Sequence, residues 1–146
     1  MIRHDLSRWP LVITVASGRS TLDDMLAFTT EWNHWLDECD AFATLRIFTD
    51  AAALEHPEGS AQNAKKWLQE KGDAIRAQVM GMATVVPPAE YERVRKMNVE
   101  KLFGVPAATF QDLPSALAWL QTAVFEPRDR TLDAAAATAA VEALAG

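Results

Sequence analysis

The stretch Asn98–Leu120, NVEKLFGVPAATFQDLPSALAWL, holds the organisation of the whole chain in compressed form. It reads as the end of one helix at Phe103-Gly104, a short apolar strand at Ala107–Phe110, and a second helix opening at Asp112. Gly104 suits the left-handed position just past a helix C-terminus, and Pro106 keeps the helix from resuming. Asp112 can cap the next helix, where Pro114 costs little because early N–H groups have no intrahelical partner. Helix, strand and helix in this order are the end of an α/β unit.

Working outward toward the N-terminus, the same alternation repeats. Val79–Val86, VMGMATVV, is a near-continuous apolar run, the signature of a strand covered on both faces. Pro87-Pro88 stops it and starts a helix with Tyr91, Val94, Asn98 and Leu102 as its inward stripe. Before it, Ser60 is the expected cap of a helix reaching about Gln78, with Ala64, Trp67, Leu68, Lys71 and Ile75 at helical spacing and Gly72 as a point of weakness. Thr44–Thr49, TLRIFT, is a further strand, ending in Asp50 and followed by the loop Ala51–Gly59.

Ser20 or Thr21 is expected to cap a helix running to about Glu38, with Asp23 and Asp24 in its first turn. Leu22, Met25, Leu26, Thr29, Trp32, Asn33 and Leu36 follow the spacing of a buried stripe. Phe28 and Trp35 form a second ridge beside it. That ridge either packs under a neighbouring element or meets a partner, since aromatic residues are enriched at interfaces. Trp9–Ala16, WPLVITVA, is a strand with Pro10 in its first positions, and Ile2–His4 is a short edge strand able to pair with it as a hairpin.

Outward in the other direction, Leu113, Ala116, Leu117, Leu120 and Val124 mark the buried face of the last core helix. Arg128-Asp129-Arg130 reads as a polar linker to an alanine-rich helix, Leu132–Leu144, capped by Thr131. With so few large side chains, that helix must dock on the body, dock on a second subunit, or fray. The fold expected is α/β: a small mixed sheet of four or five strands flanked by helices mostly on one side, plus an extra C-terminal helix. Residues 1–125 are expected to form the α/β domain and 126–146 the linker and terminal helix.

A chain of 146 residues, 49% hydrophobic and 23% charged, is ordinary for one globular domain. A net charge of −6 argues against a nucleic-acid partner. Arg93, Arg95, Lys96 and Lys101 are interleaved with Glu90, Glu92 and Glu100, as on a solvated helix face. The single cysteine, Cys39, excludes an internal disulfide and fits a reducing compartment. Met1–Arg8 lacks the apolar run of a signal peptide, and Leu11–Ala16 is too short to span a bilayer, so a cytoplasmic location is expected.

Motifs for chemistry are scarce. There is no Gly-x-Gly-x-x-Gly, P-loop or Gly-x-Ser-x-Gly, and no pairing of Cys or His at zinc spacing, so no cofactor or metal is expected. Glu31-x-x-His34 occurs once, whereas helical metal sites use such a pair twice with further carboxylates. Cys39 falls at a helix C-terminus, where the dipole disfavours a thiolate. The candidates that remain are Asp50 at a strand end and Glu55, His56 and Ser60 beyond it, since α/β proteins bind ligands outside strand termini.

The order of elements resembles the SpoIIAA-like branch of the STAS-like domains. The resemblance is carried by the opening hairpin with Ser17-Gly18-Arg19-Ser20-Thr21 at the first helix, the strand ending in Asp50, the strand Ala83–Val86, and the closing Phe110-x-Asp112…Ala116-Leu117-Ala118-Trp119-Leu120. It covers about residues 2–122. It implies a regulatory or ligand-binding role rather than catalysis. In the anti-anti-sigma relatives a phosphorylated serine directly follows an aspartate at a strand end. Here that dipeptide is Asp50-Ala51, so the phosphate acceptor is missing. Other relatives are similar to lipid-binding CRAL-TRIO folds, which keeps a small apolar ligand open.

The expected function is therefore a non-enzymatic STAS-like module that binds a protein partner, itself as a homodimer, or a small apolar ligand. Asp50, Ala51, Glu55, His56 and Ser60 are the candidate binding residues and Phe28 and Trp35 the candidate interface. The alternative is a small enzyme using Asp50 and His56 as an acid–base pair, which requires the two within hydrogen-bond reach or one bridging water.

Overall fold

In the computed structural model, which describes residues 1–145, five strands form one mixed sheet in sequential order: β1 (Ile2–Asp5), β2 (Leu11–Ala16), β3 (Phe42–Phe48), β4 (Val79–Val85) and β5 (Ala107–Phe110). β1 pairs antiparallel with β2, completing the hairpin, and β2 to β5 run parallel. The intervening helices are α1 (Leu22–Asp37), α2 (Ser60–Gln78), and the short α3 (Tyr91–Arg95) and α4 (Val99–Phe103). After β5 come α5 (Leu113–Trp119), a π-helical turn at Leu120–Phe125, and α6 (Ala134–Ala145).

The local chemistry of Asn98–Leu120 is as read. Gly104 takes φ 74° and donates its N–H to the Glu100 carbonyl at 2.8 Å. The Asp112 carboxylate accepts from the Ser115 N–H at 2.7 Å. Upstream, however, the helix is broken in two. Asn98 is not part of an inward stripe but the cap of α4, accepting from the Lys101 N–H at 3.0 Å, and Leu102 is 62% exposed.

The helices cover both faces of the sheet, not mostly one. Parallel strands added in sequential order with right-handed crossovers must put every crossover helix on the same side. That side holds Val12, Phe42 and Met82 under Trp32, Trp35 and Leu36 of α1, with Ile75 of α2 and Val105. The opposite face (Leu11, Ile13 and Val15; Leu45 and Ile47; Ala83 and Val85) is covered by α5, the π turn and α6. Ala137, Ala140 and Val141 bury α6 in that core, so it docks on the body and packs with the same sheet as residues 1–125. Its cap is Asp133, accepting from the Ala136 N–H at 3.0 Å, rather than Thr131. Gly81 of β4 sits where a Cβ would lie 2.6 Å from Val124 Cγ2, so the close approach of the π turn to the sheet requires glycine there.

α1 turns a different face inward than its aliphatic spacing suggests. Trp32, Trp35 and Leu36 are buried, whereas Leu22 and Leu26 are 36% and 40% exposed. Trp32 and Trp35 pack against Phe42 with ring centroids 5.8 and 6.5 Å away, and Trp67 of α2 donates its Nε1–H to Asn33 Oδ1 at 2.7 Å. Large rings bury the most apolar area, so they set the rotation of the helix. Thr21, not Ser20, is the cap, in a reciprocal pair with Asp24. α2 begins at Ser60 behind Gly59 in the capping position, and runs unbroken through Gly72.

Candidate functional site

The sequence-predicted residues gather at the C-terminal ends of β2 and β3, but in structural roles. The Asp50 carboxylate accepts from the Gly18 N–H at 3.1 and 3.2 Å to its two oxygens and from the Ala53 N–H at 2.9 Å. It thus ties the β2–α1 loop to the 3-10 turn Ala51–Leu54 that it caps. Hydrogen bonds from the Gly18 and then the Ala53 amide hold its carboxyl below the usual range, making it a poor base. Ala51 starts that turn and is exposed, and Glu55 pairs with Arg19 at 2.8 Å on the surface. Ser60 is the buried first residue of α2 and makes no side-chain cap bond. No hydrogen bond joins Asp50 to His56, and Asp50 lines neither of the cavities that His56 lines.

The interface ridge is corrected in the same way. Trp35 is 2% exposed, enclosed by His4, Phe28, Trp32 and Phe42, and presents no surface to a partner. Phe28 is half-buried and stacks at 5.3 Å on His4. The Glu31/His34 pair is likewise uncoupled. Burial lowers the pKa of the His4 imidazole, and neighbouring Glu31 raises it by less, while His34 is exposed and forms no ion pair with Glu31. Among the described residues no three His, Cys, Asp or Glu side chains gather as a metal site, and no helix is long and apolar enough to cross a membrane.

A different site emerges from the strand register. Thr14 of β2, Arg46 of β3, Thr84 of β4 and Thr109 of β5 are successive Cα partners, and His4 of β1 pairs with Thr14. The five residues form one polar row across the whole sheet, on the face that α1 and α2 cover. Helices α1 and α2 fill the lower part of that face with aromatic rings. Above them, at the carboxyl ends of the parallel strands, the row lies under two chambers.

One chamber, about 100 Å³, is bounded by Thr14, Ser20, Met25, Phe28 and Ile47. The other, about 120 Å³, is bounded by Leu54, Thr84, Arg93, Val94, Val99 and Thr109. Arg46, Phe48 and His56 line both. Each has room for several water molecules or a small organic molecule. Exposed His56, Arg93 and Met97 stand at the rim, and among the described residues no acidic side chain lines either chamber.

Arg46 is the centre of this arrangement. Among the described residues no carboxylate forms an ion pair with it. The residue keeps partial exposure, but its Nε is buried without a hydrogen-bond partner. Its guanidinium carbon lies 6.0 Å from the Phe48 ring centroid, a loose cation–π contact. Burial alone lowers its pKa to about 10, with no neighbouring anion to restore it. A depression of that size corresponds to about 3 kcal/mol of uncompensated charge burial. Five buried side-chain polar atoms lack partners among the described residues, and two of them, Arg46 Nε and Ser20 Oγ, belong to residues that line the first chamber. A fixed cation and a hydroxyl, both unsatisfied, beside apolar walls are what a pocket for a small anion with an apolar body requires.

Sequence reasoning passes over Arg46. Its signal is a lone arginine inside TLRIFT, a strand otherwise apolar enough to be central. A second signal is a threonine at the matching level of β2, β4 and β5. No family model, curated protein or solved structure matches this chain, so the functional reading rests on the site itself.

Proposed function

We propose that the protein is a non-enzymatic ligand-binding module of STAS-like kind, which holds a small organic molecule in the paired chambers around Arg46. The observation that carries this reading is a guanidinium with a buried, partnerless Nε at the carboxyl ends of parallel strands, where α/β proteins place their ligands. The STAS-like kinship is supported by the opening hairpin, the alternation of strands and helices, and the Phe110-x-Asp112 closing phrase. A regulatory role would follow from ligand binding. The 3-10 turn and α3, which reach the chamber walls through Leu54 and Val94, are the elements whose positions occupancy would bias. The ligand reading is preferred to association through Phe28 and Trp35 because Trp35 is buried, and to Asp50/His56 catalysis because the two share no hydrogen bond and no cavity.

The test is a thermal-shift screen of small neutral, cationic and anionic metabolites, run beside native mass spectrometry of the purified protein. Binding compounds should raise the melting temperature saturably. Met25→Trp, filling one chamber, or Thr109→Phe, filling the other, should abolish the rise while leaving the fold intact by circular dichroism. A screen with no responders and a protein free of bound small molecules would remove the reading.

A further inference from the structure

We propose that the ligand is a small monocarboxylic acid, its carboxylate accepting from the Arg46 guanidinium and the Ser20 hydroxyl and its apolar body resting on Met25, Phe28 and Phe48. The inference rests on the ligand-binding reading above and gives it a chemical class. Three observations select that class. The two unpartnered polar atoms belong to residues lining the same chamber, one a charged donor and the other a hydroxyl that donates or accepts. A guanidinium presents parallel N–H donors whose geometry matches a carboxylate, and buried sites favour that match over a point charge. The remaining walls of the chamber are mostly hydrocarbon, and its volume of about 100 Å³ admits a short aliphatic or small aromatic body rather than a long acyl chain.

Inorganic phosphate and dianions fit less well. A dianion in an apolar chamber needs several fixed donors, and Arg93, the other arginine lining the paired chambers, is already held by Glu90 at 2.6 and 3.0 Å. The net charge of the whole molecule is −6, so it offers no general attraction for anions. Any preference for a carboxylate must therefore come from this local cation. His56 at the rim and the Thr14 hydroxyl, 2.9 Å from His4 Nδ1, complete the polar boundary without adding a negative charge.

The experiment titrates pentanoate, benzoate, their neutral amides and inorganic phosphate into the full chain. Binding is read from amide chemical shifts of Ser20, Arg46 and His56 and from the melting temperature. The acids should bind roughly 10- to 100-fold more tightly than the amides, the factor a charge-assisted hydrogen bond supplies. Arg46→Met, with Arg46→Gln as a second neutral variant should the first not fold, should lose that difference. Ser20→Ala should weaken the acids severalfold. Equal binding of acids and amides would overturn the carboxylate assignment while leaving the ligand-binding reading standing. Binding of phosphate in place of the acids would overturn it in favour of a phosphate group. Silence from every probe, together with an empty screen of neutral, cationic and anionic compounds, would remove both.

Discussion

Arg46→Met should make the ligand-free protein more stable, which is the reverse of what truncating a buried side chain usually does. The guanidinium's pKa falls to about 10 through burial alone. That depression is equivalent to about 3 kcal/mol held against the folded state, at 1.36 kcal/mol per factor of ten in acidity. Methionine keeps the unbranched stem that packs along β3 and discards the charge. It also discards the contact with Phe48 at 6.0 Å, worth roughly 0.5–1 kcal/mol. The net expectation is a gain of about 2 kcal/mol, or roughly 4–8 °C in melting temperature for a domain of this size. The assay is urea and thermal unfolding of protein stripped of any bound molecule by unfolding and refolding, because an anion on wild type would stabilise it by mass action. The pH dependence gives a second reading. A base with a depressed folded-state pKa leaves the unfolded chain holding more protons above about pH 10, so wild type gains stability as pH rises from there toward the ordinary arginine pKa. The advantage of Arg46→Met should shrink there. A variant no more stable than wild type at pH 7 would show that the guanidinium is already satisfied, and the site with it would lose its main support.

Other parts of the molecule give three further expected outcomes. Burial depresses the His4 pKa below 6.5, so the folded state resists protonation; stability should be constant above that pH and decline below it, and His4→Phe should flatten the decline in pH-dependent urea melts. Gly81→Ala places a methyl 2.6 Å from Val124 Cγ2 and should cost about 1–3 kcal/mol, with Val124→Ala in the same chain recovering part of it in a double-mutant cycle. Asp50→Ala should speed hydrogen exchange at the Gly18 and Ala53 amides, which now donate to its carboxylate, while exchange in β4 stays slow.

Most of the fold can be read from residue order, because its signals are local. Asp112 caps, Gly104 terminates, and the apolar run Val79–Val86 must be covered twice. What stays hidden depends on partners remote in sequence. Which side of the sheet a helix takes follows from strand order, and nothing in residues 60–78 states that β3 and β4 are neighbours. The rotation of α1 escapes the sequence because the stripe begun by Leu22, Leu26 and Thr29 competes with the ridge of Phe28 and Trp35, and only the position of Phe42 decides between them. The site is half legible. The neighbourhood beyond Asp50 is the right one, since strand ends are where ligands bind, and His56 does reach the chambers. Asp50, Glu55 and Ser60 stand out as polar chemistry beside a loop, yet Asp50 is spent on backbone amides and Glu55 on Arg19. Arg46 is invisible as a site residue because its meaning lies in an absence of partners, which only the packed structure reveals.

The two faces of the sheet are completed at different times as the chain is made. Each crossover helix returns to the same side, so a nascent chain that has emerged as far as Phe110 already holds all five strands and one full helical layer. The other side, with Leu11, Ile13, Val15, Leu45, Ile47 and Val85, waits for residues 113–145. Until they leave the ribosome it is a continuous adhesive surface, the kind that chaperones hold and that drives aggregation when they do not. A premature stop between Asp112 and Asp133 would therefore yield a complete sheet with one sticky side rather than a shortened working domain.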